Sequence, residues 1–200
     1  RWKRVRKSLK SLRDPAAFAR CKRELEALQH QEDQGEIALY YFDEAGFTLE
    51  PCVPYAWQPL GTTLELPSSQ SPRLNVLGFL PLDGTFFSIL LEGTVDATVL
   101  IAAFDAYCAQ LEKPTLLILD NAPVHRSTVF QAQRQRWEAE GLYLLFLPPY
   151  CPELNWIEIL WRKIKYEWLP LAAYQSFKDL TDALLEVLKQ VGSKYRITFA

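Results

Sequence analysis

The chain has 200 residues, of which 49% are hydrophobic, 23% charged and 13% aromatic. That balance excludes a disordered or fibrous protein and leaves room for one sizeable core. The formal net charge of −2 argues against a broadly basic nucleic-acid surface, and there is no run of 18 apolar residues to span a membrane.

The charge is unevenly spread. Residues 1–35 carry ten Lys/Arg against five Asp/Glu, whereas residues 36–200 carry twelve against nineteen. Residues 1–13 hold seven cations and no anion. Such an arm reads as a linker, as a phosphate-binding segment or as a solvated helix end. No apolar h-region follows it, so no secretory signal is expected. Cys21, Cys52, Cys108 and Cys151 are far apart and never form a C-x-x-C pair. That argues against a disulfide scaffold or zinc ribbon and suits a reducing cytosol. The chain starts with arginine and has no methionine, so it is expected to be part of a longer product.

In chain order, Asp14-Pro15 reads as the N-cap and first position of a helix. Phe18, Cys21, Leu25 and Leu28 form its apolar stripe, and Gly35 stops it. Residues 37–47 are a β-rich run. Residues 48–72 hold five prolines and read as a long loop or hairpin carrying Tyr55 and Trp57. Two strands follow, joined by a turn at Asp83-Gly84. Thr94 to Lys113 has helical periodicity and Pro114 closes it. Residues 114–122 contain a short strand buried on both faces, residues 126–140 a polar helix, and residues 142–149 a second buried strand stopped by two prolines. A helix is expected from Glu153 to Leu169, with Trp156, Leu160, Ile164 and Trp168 on one face. Trp161 and Trp168 read as core. The last helix runs from Ser176 to Val191 and ends at Gly192. Antiparallel strands followed by βα alternation predict a mixed α/β sheet with helices on both faces.

Three carboxylates stand out by context. Asp43 interrupts an apolar strand, Asp120 ends one, and Glu158 lies in the first turn of a helix after a proline loop. Strands disfavour aspartate, so Asp43 and Asp120 need a reason. Ligands gather at the carboxyl ends of parallel strands, where Asp120 falls. Carboxylates converging across a sheet repel one another, and divalent cations relieve that repulsion. Mg²⁺ takes oxygen ligands and shares its shell with substrate phosphates. Two such ions serve in-line phosphodiester chemistry. Glu44 reads as a bland neighbour.

The segments YYFDEAGF, LLILDNAPVHRS and LPPYCPELNWIEILWRKIK resemble the three signature blocks of DDE transposases. They are most similar to those of the insertion sequence 630 family, the bacterial relatives of mariner. The resemblance runs from about Arg1 to Val191, and the third block carries it most specifically. It implies a ribonuclease-H-like fold, with Asp43, Asp120 and Glu158 as the catalytic, metal-holding triad for two Mg²⁺ or Mn²⁺ ions. It implies metal-dependent cleavage of transposon ends and strand transfer into target DNA by a homodimer or larger assembly, in a cytoplasmic, nucleoid-associated setting. On that reading residues 1–35 are a basic linker and helix, and residues 36–200 the catalytic domain. The family's N-terminal helix-turn-helix region is expected upstream. Trp156 stands where proline is usual and Cys151 where serine is usual. A hydrolytic nuclease of the same fold and an inactive transposase remnant are the alternatives.

Further candidates carry two readings each. Asn121 follows Asp120 and is a candidate DNA contact. His125 holds a phosphate or orients a water, or else it caps or packs beside its loop. Asn155 is expected to cap the Glu158 helix. Arg162, Lys163 and Lys165 contact DNA phosphates or form a solvated helix face. Tyr55 and Trp57 join two subunits, as the mariner resemblance implies, or tuck onto their own sheet.

Overall fold

The computed structural model describes residues 10–52, 60–61, 63, 65–66, 71–82 and 85–197. The basic residues before Lys10, the loop aromatics Tyr55 and Trp57, and the Asp83-Gly84 turn lie outside the described residues.

Asp14 caps helix α1 (Pro15–Asp33), its Oδ1 accepting from the Ala16 N–H at 2.8 Å. Gly35 ends the helix at φ 77°, where Gly35 N–H reaches Glu32 O and Glu36 N–H reaches Gln31 O. Those two bonds form a Schellman stop, which needs the left-handed conformation that glycine adopts at little cost. Cys21 and Leu25 are buried on the sheet side.

The sheet is built from β1 (Ala38–Phe47), β2 (Leu74–Pro81), β3 (Phe87–Glu92), β4 (Thr115–Leu119) and β5 (Leu142–Phe146) in the order β3-β2-β1-β4-β5. β1 to β3 form an antiparallel meander, and β4 and β5 extend it parallel to β1. The mixed sheet flanked by helices is as expected. The hydrophobic runs of β2 and β4 reflect cover on both faces, for every residue of β2 is buried.

Each face has its own core. Tyr41, Ala45 and Phe47 pack with Cys21 and Leu25 of α1 and with helices α5 (Ile157–Lys163) and α6 (Phe177–Lys189). Phe42 points the other way. It joins Phe79, Phe104 of helix α2 (Ala97–Cys108), Phe130 of helix α3 (Thr128–Gln131) and Trp137 of helix α4 (Arg134–Ala139). The two-residue alternation of a strand therefore puts Asp43 on the α5 face with Tyr41.

Three helices depart from the sequence expectation. α2 begins at Ala97, because Asp96 is its N-cap and accepts from Val99 N–H, and it ends at Cys108. The predicted helix 126–140 is a series of turns over 122–127 followed by two short helices, α3 and α4. The predicted helix 153–169 is a 3-10 turn (Pro152–Leu154), then α5, then a π-helical turn (Ile164–Trp168). Trp161 is core, while Trp168 is only partly buried and stacks on Tyr195 at 4.7 Å. All four cysteines are free. Among the described residues no helix is long and apolar enough to cross a membrane.

Candidate active site

The parallel strands β4 and β5 end beside one another, and a cleft of about 500 Å³ opens past their carboxyl ends. Asp43, Asp120 and Glu158 all line it, together with Asn121, Arg126, Tyr150, Cys151 and Asn155. Three elements distant in sequence thus deliver one carboxylate each: the middle of β1, the end of β4 and the first turn of α5.

Gly78 explains how Asp43 is held. It is the register partner of Asp43 on β2. A Cβ there would lie 2.7 Å from Trp161 Cη2 and 2.9 Å from Ile157 Cδ1. The missing side chain lets the Trp161 indole approach the sheet closely, and its Nε1–H donates to Asp43 Oδ2 at 3.1 Å. Burial pushes the Asp43 carboxyl up to about 7, with Glu158 and then Asp120 adding like-charge repulsion and the Trp161 bond opposing it.

Asp120 sits differently. His125 Nδ1 lies 3.0 Å from its Oδ1 and 3.2 Å from its backbone oxygen. Both partners are acceptors, so Nδ1 carries the proton. The same Oδ1 accepts from Ala122 N–H at 3.0 Å. The His125 bond, aided by Ala122, holds the Asp120 carboxyl below its ordinary value against partial burial. Glu158 is raised by burial and by Asp120, and the Lys165 charge opposes the rise.

Asp43, Asp120, Asn121 and Glu158 are therefore brought together. Asn121 Nδ2 donates to Leu147 O at 3.1 Å. His125 does not line the cleft. It is 5% exposed and packs between the Phe42 and Phe130 rings behind Asp120. Arg162, Lys163 and Lys165 do not line it either. Arg162 is exposed, Lys163 pairs with Glu167 at 2.6 Å, and Lys165 Nζ lies 5.1 Å from the centre of the Phe47 ring.

Asn155 does not cap α5 with its side chain. It is 3% exposed, and its Nδ2 donates to Phe42 O at 3.1 Å, next to Asp43. Its Oδ1 is buried without a partner among the described residues. Sequence reasoning also missed Arg126 and Tyr150, which line the cleft, and the bond from Trp161. Only Trp161 had a signal, its i+3 spacing from Glu158. Tyr150 has φ 61°, a strained value for a tyrosine at the cleft wall.

Among the described residues no three carboxylate, imidazole or thiol groups are gathered around one point; the three carboxylates line the cleft walls. The donors available there are nonetheless hard oxygens: three carboxylates and the orphaned Asn155 Oδ1. The one thiol, Cys151, is pushed up by burial and donates to Pro149 O at 3.4 Å. Such a set suits Mg²⁺ or Mn²⁺ rather than a thiophilic metal.

A five-stranded mixed sheet in this order, with carboxylates from the middle of β1, the end of β4 and the first turn of α5 lining one cleft, defines a ribonuclease-H-like domain. The chain belongs to the DDE superfamily endonuclease family, whose sequence profile matches residues 38–181. Its fold is similar to that of the Mos1 strand transfer complex, with a TM-score of 0.64 and 16% identity over 94% of this chain. That match covers 58% of the Mos1 chain, so the present chain spans little more than half of that relative. The catalytic domain of Mos1 mariner transposase matches with a TM-score of 0.59 and 15% identity, over 94% of this chain and 85% of that one. The Mos1 paired-end complex with Mn matches with a TM-score of 0.59 and 17% identity, over 94% of this chain and 57% of that one. No curated protein matches the chain by sequence.

Proposed function

We propose that the chain is the catalytic core of a cut-and-paste DNA transposase of the insertion sequence 630 family. The observation that carries this reading is the meeting of Asp43, Asp120 and Glu158 in one cleft, with Asp43 pushed up to about 7 by burial and by its acidic neighbours. A carboxylate kept that reluctant to ionise calls for a cation, and the oxygen donors suit two Mg²⁺ or Mn²⁺ ions held by the three carboxylates. Mos1 paired-end complexes have been solved with Mg and with Mn. When bound, such ions supply Lewis-acid polarisation of the scissile phosphate and activation of the attacking oxygen.

The chain's own residues then have separable tasks. Trp161 fixes the Asp43 carboxylate through Oδ2, and His125 and Ala122 N–H fix that of Asp120 through Oδ1. Asn155 ties the start of α5 to β1, which sets Glu158 against Asp43. Cys151 is no nucleophile, since burial keeps its thiol protonated. The displacement needs no covalent enzyme intermediate. Water attacks the phosphorus at the transposon end and the 3′-oxygen leaves as a hydroxyl. That hydroxyl then attacks the phosphorus of a target phosphodiester, whose own 3′-oxygen leaves as a hydroxyl, so one phosphodiester bond is exchanged for another.

On this reading residues 1–35 are linker and helix and residues 36–200 the catalytic domain, in keeping with a family match that begins at residue 38. The chain acts as a dimer on paired DNA ends, at the nucleoid of a bacterial cytoplasm. The test is incubation with a labelled transposon end, target plasmid and Mg²⁺, the end sequence being taken from inverted repeats flanking the gene. Cleavage with joining supports the transposase. Cleavage without joining makes it a hydrolytic nuclease, and no product makes it an inactive remnant.

A further inference from the structure

The carboxylate cleft does not stop at Arg126. Asn121 and Arg126 also line an adjoining groove of about 280 Å³, completed by Gln131, Arg134 and Phe146. The polar groups of this groove are lopsided. The amide nitrogen of Asn121 is engaged by Leu147 O and that of Gln131 by His125 O. Arg134 Nε is buried and has no acceptor among the described residues. The Arg134 guanidinium lies over the Phe146 ring, 5.6 Å from its centre, and its Nη2 is 3.7 Å from Glu138 Oε1, a long contact. Arg126 is exposed and makes no ion pair among the described residues.

Local structure puts both arginines there. Arg126 belongs to the succession of turns after Asp120, in which His125, Arg126 and Ser127 N–H groups bond back to Ala122, Pro123 and Val124. Arg134 opens α4 after the break at Ala132–Gln133. Two guanidinium groups lining one groove, one of them without an ion pair among the described residues and the other held only by a long contact, suit an anion, and the planar fork matches phosphate oxygens. The Phe146 ring holds the Arg134 plane in place. There is also a need for such cations, because a DNA strand entering the cleft brings its phosphates close to three carboxylates.

We propose that Arg126 and Arg134 form a phosphate-binding subsite that grips the DNA backbone beside the phosphodiester held at Asp43, Asp120 and Glu158. It rests on the reading of that cleft as a DNA-cleaving site. The test is binding of a short labelled duplex in Ca²⁺ by fluorescence anisotropy across a range of salt, with DNA cleavage in Mg²⁺ assayed alongside. Removing one cation from a DNA phosphate flattens the log–log salt slope by about 0.9. The single variant R126A is expected to flatten it by that much and the double variant R126A/R134A by about twice as much, with the R126K/R134K pair recovering most of it. K189A, on α6 and lining neither space, is the charge-matched control and is expected to leave the slope near wild type. A wild-type slope in R126A, an equal flattening in K189A, or no DNA binding by the wild type overturns the subsite. Cleavage by the wild type with an unchanged slope in the variants overturns the subsite alone. A flattened slope in the variants without wild-type cleavage overturns the catalytic reading alone.

Discussion

Replacing Asp43 by asparagine is expected to stabilise the metal-free protein at neutral pH while abolishing its chemistry. Asp43 lies in the middle of β1 under the Trp161 indole, and burial raises its carboxyl from 3.8 to about 7. The folded state therefore holds this proton more tightly than the unfolded chain does. The resulting stability is complete below the unfolded value of 3.8 and is lost as pH rises through about 7. A shift of about three units corresponds to on the order of 4 kcal/mol. Asparagine keeps an oxygen for the Trp161 N–H and carries no charge. Urea unfolding in EDTA at pH 5 and pH 8 measures the effect. Wild type is expected to weaken between the two by up to about 2.7 kcal/mol, the roughly two units between pH 5 and the folded value at about 1.36 kcal/mol each, a ceiling lowered by the partial exposure of the side chain. D43N is expected to change far less and to exceed wild type at pH 8. Adding Mg²⁺ at pH 8 restores the wild type and leaves D43N unmoved. A wild type equal to or more stable than D43N at pH 8 in EDTA refutes the reasoning.

Other substitutions probe the supports of the site. Gly78→Ala drives a methyl into Trp161 and Ile157; unfolding should show a loss of about 1–3 kcal/mol, and kcat should fall because α5 carries Glu158. Trp161→Phe removes the donor to the ionised Asp43, so the acidic limb of the pH–rate profile is expected to move to higher pH. His125→Phe keeps a ring between Phe42 and Phe130 but removes the bond to Asp120. Its stability should change by only about 1 kcal/mol while DNA cleavage falls severalfold, and unchanged cleavage would reduce His125 to a packing role.

Much of this arrangement was legible in the sequence, for identifiable reasons. Asp43 and Asp120 stood out because aspartate is rare in apolar strands, and Glu158 because the block around it resembles a known signature. The sheet and α1 were legible through strand runs, the Asp14 cap and the Gly35 stop. The interruptions were not legible. Trp156, Leu160, Ile164 and Trp168 recur every four residues and read as one helix face. The chain reaches that spacing only by widening, with Leu169 N–H bonding back to Ile164 O across five residues. Asn155 looked like a cap because its type and position suit one. Its amide instead bonds to Phe42 O, a partner 113 positions away that no local pattern encodes. The Trp161–Asp43 bond was hidden for the same reason, since it depends on the gap that Gly78 leaves on a neighbouring strand.

Asp43, Asp120 and Glu158 are expected to hold divalent cations jointly. Titration with Mn²⁺ at pH 7.5, followed by the fall of the free-ion electron paramagnetic resonance signal, tests it most directly in wild type, D43N, D120N and E158Q. Two bound ions are expected in the wild type, with affinity or stoichiometry reduced in every variant and weaker binding at pH 5.5, where Asp43 is protonated. Wild-type binding that persists in any one of the three variants would contradict it.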